Sequence, residues 1–236
     1  MGQSGEVATQ PMLSQELLLT VAEELKLPLL QIARQAELGQ KSDLTNMRTS
    51  AETALRLLDN YSLAVRLAMR GDHFERESVS VASVLYDAGQ QLDGLAKSYG
   101  VGLELGVAGR FGPVLAHRQG LQAALVSLGA TLIEALPAQD NCQLKLYMAT
   151  HRSRYGIVAG LYADTKQLTS VALQKGRRLQ NQSRQPLLNL THTSGAGVFV
   201  ADTILKAMDL NLITSRHKSL YGLGTILQPN HQLQLV

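Results

Sequence analysis

The sequence contains a single cysteine, no tryptophan, three phenylalanines and no long apolar run. One thiol, Cys142, cannot form an internal disulfide, so we expect a reducing compartment. No stretch approaches the roughly 20 consecutive apolar residues of a membrane helix. The N-terminus also lacks the basic and apolar segments of a signal peptide. These absences predict a soluble, cytoplasmic protein without a membrane segment.

Neither sign of charge is in large excess, since the chain contains 22 Lys and Arg and 19 Asp and Glu, which gives a formal net charge of +3. A small basic cluster of Lys175, Arg177 and Arg178 has no interleaved aromatic residues on which bases could stack, which argues against nucleic-acid binding. The six histidines and the one cysteine do not show the spacing of metal ligands, so we expect no metal site from them. Apolar residues make up 45% of the chain, which is enough for a folded core.

The first 73 residues predict a tail followed by a helical hairpin. Residues 1–12 are small and polar, which is typical of a flexible tail. Residues 39–42 predict the turn of the hairpin, whose domain we place at residues 13–73. Apolar residues recur at steps of three and four in both helices, the second as a heptad-like seam: Leu18, Val21, Leu25, Leu29, Ile32 and Ala36, then Leu44, Met47, Ala51, Ala54, Leu58, Tyr61, Val65 and Ala68.

Two helices alone leave much of each apolar stripe in contact with water. Pairing two hairpins into a four-helix bundle buries both stripes, so the sustained seam favours a homodimer. The dimer core would contain Leu18, Val21, Leu25, Met47, Ala51 and Leu58. The alternative is that the hairpin packs on its own C-terminal domain.

Residues 74–236 alternate between helical and extended patterns and form the second predicted domain. We expect helices over 84–98, 118–136 and 196–208, and a long polar loop over 175–193. Strands are predicted at 78–81, 102–107, 112–116, 143–150, 155–162, 210–215 and 222–227. This order predicts an α+β fold, a two-layer sandwich with helices on one face of a mixed sheet.

Residues 22–29 read Ala-Glu-Glu-Leu-Lys-Leu-Pro-Leu, with Pro28 in mid-helix, where proline is costly. This frame resembles the His-Glu-Leu-Arg-Thr-Pro-Leu motif of the histidine kinase family, whose histidine is the phosphoacceptor. Glu23 stands where that histidine belongs, and a carboxylate cannot form the phosphoramidate, although it could form an acyl phosphate. Leu27 replaces the Thr or Asn that orients water for dephosphorylation of a response regulator. The resemblance therefore implies no catalytic residue here.

The second domain continues the resemblance, with departures. Residues 130–135 are similar to the Asn-Leu-Leu-x-Asn-Ala frame of the ATPase domain, which implies Glu134 at the magnesium position. Glutamate is itself a hard oxygen ligand. Asp164 matches the adenine-reading Asp of the Asp-x-Gly-x-Gly box, but both glycines of the box are missing, so side chains obstruct close backbone approach.

Two glycine motifs complete the resemblance, which extends from residue 13 to residue 229. Gly195 and Gly197 open a helix and are similar to the family's Gly-x-Gly-Leu-Gly-Leu segment. Such glycines can cradle a phosphate, or simply let a helix pack closely on a sheet. Residues 222–225, Gly-Leu-Gly-Thr, resemble the terminal strand of the family. The resemblance implies a dimerisation hairpin followed by a degenerate histidine-kinase-type ATPase domain.

Three functions are compatible with this pattern. The main hypothesis is a non-catalytic pseudo-histidine-kinase without a cofactor, which dimerises and binds a response regulator or a kinase on the outer face of the hairpin, through Glu23, Glu24 and Lys26. The alternative is a divergent ATP-binding histidine kinase or phosphotransferase of a phosphorelay, with residual ATP and Mg²⁺ bound by Glu134, Asp164, Gly195 and Gly197. A third hypothesis is an adaptor that forms mixed dimers with a true kinase.

Overall fold

The structure is a computed structural model that describes residues 25, 29–34, 36–37, 43–70, 75–107, 111–135, 145–163 and 196–230. The predicted tail, the frame around Glu23 except Leu25 and Leu29, the turn at 39–42 and the loop at 175–193 lie outside these residues. The domain boundaries at residues 12 and 73 stay predictions.

The second helix of the hairpin is a single long helix, α1, which spans Asp43–Arg70. Its heptad-like seam predicted this continuity. Residues 29–34 are also helical, and the Ser50 hydroxyl donates a hydrogen bond of 3.4 Å to Gln31 Oε1. This bond joins the two helical segments, and the hairpin itself stays a prediction.

The rest of the described chain contains three helices and seven strands in the predicted order. The helices are α2 (Val81–Ser98), α3 (Arg118–Ala135) and α4 (Ala196–Ala207). The strands are β1 (Glu77–Val79), β2 (Gly102–Val107), β3 (Val114–Ala116), β4 (Lys145–Ser153), β5 (Gly156–Ala163), β6 (Leu212–His217) and β7 (Leu220–Leu227). Ser80 caps α2, since its side chain accepts a hydrogen bond from the Ser83 amide.

Five strands form one mixed sheet in the order β2-β4-β5-β7-β6, and β1 pairs with β3 in a small second sheet. β2 runs parallel to β4, and the other neighbours are antiparallel. The β4–β5 turn lies at residues 154–155, later than the predicted 151–154. Ser153 explains the shift, because its hydroxyl accepts from the Tyr155 amide and donates to the Gly156 carbonyl at 3.1 Å, while Gly156 supplies a φ of 142°.

The helices cover one face of the large sheet, and the main core lies between the two layers. Alternate residues of β5 belong to this core, namely Ile157, Ala159, Leu161 and Ala163. Helices α2 and α3 supply leucines with almost no exposed surface, including Leu85, Leu92, Leu121, Leu125, Leu128 and Leu132. This arrangement confirms the predicted α+β sandwich and shows that leucine, alanine and valine replace the scarce aromatic residues.

The C-terminal half of α1 packs on this sandwich. Ala64 and Leu67 are buried in the same core, and the Asn60 side-chain amide donates a hydrogen bond of 2.9 Å to Ser127 Oγ on α3. Towards its N-terminus α1 is open, since Leu44 is 67% and Leu58 39% exposed. One half of α1 thus packs on the second domain, which was the alternative to dimerisation. The four-helix bundle stays a prediction. None of the helices formed by the described residues has the length and apolarity to cross a membrane.

Candidate functional site

Helix α1 runs antiparallel to α3, and the charge of the predicted magnesium residue Glu134 acts on Arg56 of α1. Asn60 meets Ser127 through its hydrogen bond. Two turns further along α1, a Cδ of Leu67 lies 3.3 Å from where a Cβ on Gly120 would stand. Arg56 lies one turn before Asn60, and Glu134 lies two turns after Ser127. In this register Arg56 lies opposite Thr131, and Glu134 lies nearly one turn further along α3.

The electrostatics of Arg56 agree with this geometry. Burial lowers the pKa of its guanidinium, and the charges of Glu52 and then Glu134 oppose the shift. Among the described residues no hydrogen-bond partner is found for Arg56 Nη1, although the atom is buried. A buried charged group needs a nearby opposite charge. The two carboxylates supply it, and arginine stays protonated at any physiological pH.

The charge of Glu134 also acts on Tyr99. Burial raises the pKa of the Tyr99 phenol, and the negative charge of Glu134 raises it further. The carboxylate thus lies within electrostatic range of Arg56 from the hairpin and Tyr99 from the end of α2. The described part of the chain contains no group of three His, Cys, Asp or Glu residues that could hold a metal ion.

Gly197, predicted to bind nucleotide, lies in the first turn of α4 and faces α3. A Cβ on Gly197 would overlap Thr131 Oγ1 and would lie 2.6 Å from the Ser127 carbonyl oxygen. The Thr131 hydroxyl itself donates a hydrogen bond of 3.1 Å to that carbonyl. The missing side chain therefore lets α4 approach α3 closely. The sequence allowed close packing of this helix on a sheet, and the structure shows close packing on helix α3 instead. The nucleotide-binding role of Gly197 stays a prediction.

The other predicted site residues divide into two groups. Asp164, Gly195, Glu23, Glu24 and Lys26, and also Leu18 and Val21 of the predicted dimer core, lie outside the described residues. In the remaining dimer core, Leu25 packs against the main core, Met47 and Ala51 are half-buried, and Leu58 is exposed.

The terminal Gly-Leu-Gly-Thr motif lies in β7, in the middle of the sheet. A Cβ on Gly224 would lie 2.5 Å from the Ala159 carbonyl oxygen of β5, so the glycine permits close approach of the two strands. Thr225 pairs with Ala159, which pairs on its other side with Thr150. Both threonines are buried, and within the described chain neither hydroxyl has a hydrogen-bond partner. The strand register, which the sequence does not predict, places Thr150, Ala159 and Thr225 side by side across three strands.

The opposite face of the sheet carries an aromatic cluster that the sequence did not reveal. The His151 and His217 ring centroids lie 5.4 Å apart, and each ring lies within 6.0 Å of the Tyr162 ring. Burial raises the pKa of Tyr162 to about 12, and its hydroxyl lies 3.3 Å from Ser215 Oγ. Burial is also the main cause that lowers the pKa of both histidines, with smaller contributions from His217 on His151 and from Lys218 on His217. Their neutral forms are therefore favoured.

Sequence reasoning also missed Arg56 and Asn60, because the seam of α1 drew attention to another face of the helix. The sequence nevertheless contains a periodic pattern that includes these two residues. Arg56, Asn60, Ala64 and Leu67 follow one another at steps of four, four and three, which defines a second stripe. Small and polar residues in such a stripe are also typical of a solvated face. The pattern alone therefore does not show whether this face packs on the second domain or is exposed to water.

Sequence comparison gives no relatives, since no protein-family model matches the chain and no curated protein matches it. Solved structures do match. The histidine kinase AdeS of Acinetobacter baumannii is 13% identical with a TM-score of 0.57, over 88% of this chain and 98% of that one. Full-length ShkA in complex with AMPPNP is 15% identical with a TM-score of 0.54, over 91% and 45%. A bacterial phosphotransferase is 11% identical with a TM-score of 0.52, over 95% and 98%.

The chain therefore has the fold of a histidine-kinase-like ATPase core, which confirms the resemblance found in its sequence motifs. At sequence identities of 11 to 15%, the likeness of these structures shows the fold alone. The chemistry depends on the residues of this chain.

Proposed function

We propose that the chain is a non-catalytic signalling protein with a histidine-kinase-like fold, which forms a homodimer and binds a response regulator or a histidine kinase. The observation that carries this proposal is that the half-buried Arg56 guanidinium lies within electrostatic range of Glu134. A fixed positive charge within electrostatic range of the residue that the family resemblance assigns to magnesium opposes the binding of a divalent cation, because like charges repel. Without that cation the phosphates of ATP lose their main counter-charge.

The sequence supports the same conclusion in the hairpin. Glu23 stands at the phosphoacceptor position of the family frame, and its carboxylate cannot form a phosphoramidate. Both halves of the kinase reaction, nucleotide binding and phosphate acceptance, therefore depart from the family pattern in the same chain.

Dimerisation is supported by the exposed part of the seam. Leu44 and Leu58 are exposed although they belong to the apolar repeat of α1. Large apolar side chains repeated along one face of a helix are typical of an interface. A second hairpin would cover them in a four-helix bundle, while the stripe with Ala64 and Leu67 stays on the ATPase-like domain.

Partner docking is assigned to Glu23, Glu24 and Lys26 on the outer face of the hairpin, where the family resemblance places the response regulator. A docking surface needs complementary shape and charge and no catalytic group. The proposal thus allows docking to persist after the chemistry has been lost. A cytoplasmic location, where response regulators act, is part of it.

A phosphotransferase is the second candidate. The matched bacterial phosphotransferase has the same extent as this chain, with 95% and 98% of the two chains covered. In this version Glu23 would accept a phosphoryl group as an acyl phosphate. An ATP-dependent form would use Glu134, Asp164, Gly195 and Gly197.

Calorimetric titration of the full chain with ATP and Mg²⁺, together with light scattering, separates the candidates. We expect a dimer and no heat of nucleotide binding. Micromolar ATP binding contradicts the non-catalytic proposal. Incubation with a phosphorylated receiver domain tests the second candidate, since phosphate retained by the wild type and absent from Glu23→Gln would establish phosphotransfer.

Docking is tested with a panel of receiver domains and kinase hairpins on a biosensor surface. We expect the double variant Glu23→Lys, Glu24→Lys to lower the affinity of a binding partner at least tenfold, roughly the effect of reversing two interface charges. The control is Glu37→Lys, an exposed position further along the same segment. Equal loss in both variants would place the docking surface elsewhere.

A further inference from the structure

Two histidines that are far apart in the sequence meet on the outer face of the large sheet, opposite to the helices. His151 lies in β4 and pairs with Val158, and His217 is the last residue of β6. Their ring centroids lie 5.4 Å apart. We propose that His151 and His217 together bind one divalent transition-metal ion of the Zn²⁺, Cu²⁺ and Ni²⁺ class on this face. The proposal is independent of the proposed signalling function.

The first argument is the separation of the two rings. A bond from zinc to a histidine nitrogen is about 2.0–2.1 Å long, which places the ring centroid roughly 3 Å from the metal. Two imidazoles that share one tetrahedral ion therefore have centroids roughly 5 Å apart. The planes of the two rings are inclined by 37°. The strands thus already hold the two imidazoles at the separation that one shared ion requires.

The second argument is a ring nitrogen that no protein group occupies. His151 Nδ1 is buried, and within the described chain it has no hydrogen-bond partner. A buried polar atom in this condition needs an explanation, and an unseen water or ion is a common one. In the tautomer that carries the proton on Nε2, Nδ1 has a free lone pair. A metal ion shared with His217 would engage that lone pair.

The third argument is the protonation state of the pair, since a metal ion binds the neutral imidazole. Burial is the main cause that lowers the pKa of both histidines, and His217 and Lys218 add smaller contributions to His151 and His217 respectively. Protons therefore compete weakly with a metal ion at neutral pH. Lys218 also repels a cation, but it is exposed and its charge is screened by water.

The surroundings define the class of ion. Imidazole is a preferred ligand of Zn²⁺, Cu²⁺ and Ni²⁺, whereas Mg²⁺ and Ca²⁺ prefer carboxylate and carbonyl oxygens. Residues 145–163 and 212–227, which form β4 to β7, contain no Asp or Glu. The described chain has no group of three His, Cys, Asp or Glu residues for an ion. The site thus has two imidazoles as protein ligands, and because both rings are only half-buried, water completes the coordination.

Calorimetric titration of the chelator-treated full chain with Zn²⁺ tests the proposal, and we expect saturable binding of one ion per chain. His151→Gln and His217→Gln should each weaken binding at least about tenfold, because the loss of a group that merely orients a metal ligand already costs roughly that factor. The control is His73→Gln, which changes a histidine outside the described residues and should bind like the wild type. Equal binding by the wild type and both cluster variants would assign the ion to other groups and overturn the proposal. Absence of saturable binding at millimolar Zn²⁺ would overturn it as well.

Electron paramagnetic resonance of bound Cu²⁺ identifies the ligands directly. The wild type should show coupling to two imidazole nitrogens, and His151→Gln and His217→Gln should each show coupling to one. Circular dichroism confirms that both variants keep the sheet. A Cu²⁺ spectrum that neither substitution changes would refute the proposal.

Thermal unfolding gives a further readout. An ion that binds only the folded chain stabilises it, so Zn²⁺ should raise the unfolding midpoint of the wild type and of His73→Gln. The midpoint of His217→Gln should stay unchanged on addition of Zn²⁺. An equal rise in all three proteins would show that the ion binds away from the His151–His217 pair.

Discussion

The Asn60 side-chain amide donates a hydrogen bond of 2.9 Å to Ser127 Oγ, and it joins the hairpin helix α1 to α3 of the ATPase-like domain. Ser127 is only 4% exposed, and the apolar contacts of Ala64 and Leu67 continue the interface along α1. The core therefore extends across the boundary predicted at residue 73. Helix α1, which the sequence assigns to dimerisation, therefore also packs on the second domain.

Replacing Asn60 with Ala should destabilise the chain. The change leaves the buried Ser127 hydroxyl without its donor, and the expected loss in unfolding free energy is about 1–2 kcal/mol. Urea unfolding followed by circular dichroism measures it. Asp59→Ala, at the adjacent exposed position, is the control and should stay within about 0.5 kcal/mol of the wild type. Equal effects of the two variants would mean that the hydrogen bond contributes nothing.

Two helical glycines should respond to alanine with opposite sign. Gly197→Ala forces a methyl group against Thr131 Oγ1 and the Ser127 carbonyl, so it should cost about 1–3 kcal/mol through overpacking. Gly94→Ala has nothing within 4 Å of the new methyl group and should stabilise α2 by about 0.5–1 kcal/mol, because alanine favours the helix. Thermal unfolding of both variants measures the signs. A neutral Gly197→Ala would indicate that α3 and α4 are looser than described.

Periodicity in the sequence predicted the helices and strands, because each of these depends on residues close together in the chain, and the order of these elements predicted the two-layer α+β fold. The heptad-like seam located α1 almost to its ends. Contacts between distant residues were not predictable in the same way. Arg56 is an ordinary charged residue of an amphipathic helix until α1 is laid against α3, and only then does the charge of Glu134 act on it. Strand register, equally non-local, creates the Thr150–Thr225 row and the cluster of His151 with His217.

The His151–His217 cluster should make stability depend on pH. Both pKa values are lowered from 6.5 in the folded state, chiefly by burial and then by His217 and Lys218 respectively. The unfolded chain therefore binds more protons around pH 6, and the unfolding free energy should fall as the pH drops below about 6.5. Tyr162, the third ring of the cluster, stays neutral throughout this range because its pKa is about 12.

Urea unfolding at about pH 7.5 and about pH 5.5, on either side of the ordinary histidine pKa, measures this dependence. His151→Gln should reduce the difference between the two conditions, since it removes one of the two titrating rings. Lys218→Gln should also reduce it, because the loss of the lysine charge allows the pKa of His217 to rise. A pH dependence unchanged in both variants would assign the effect to other groups.

Leu58→Glu should dissociate the proposed dimer without unfolding the subunit. Leu58 is 39% exposed in the single chain, so a carboxylate there can stay hydrated in the monomer. In a four-helix bundle it would be desolvated without a partner, which should raise the dimer dissociation constant at least about a hundredfold. Sedimentation equilibrium measures the constant, and circular dichroism confirms that α1 persists. Asp59→Lys changes charge at the neighbouring exposed position and should leave the dimer intact. A dimer that survives Leu58→Glu would show that its interface lies away from the seam.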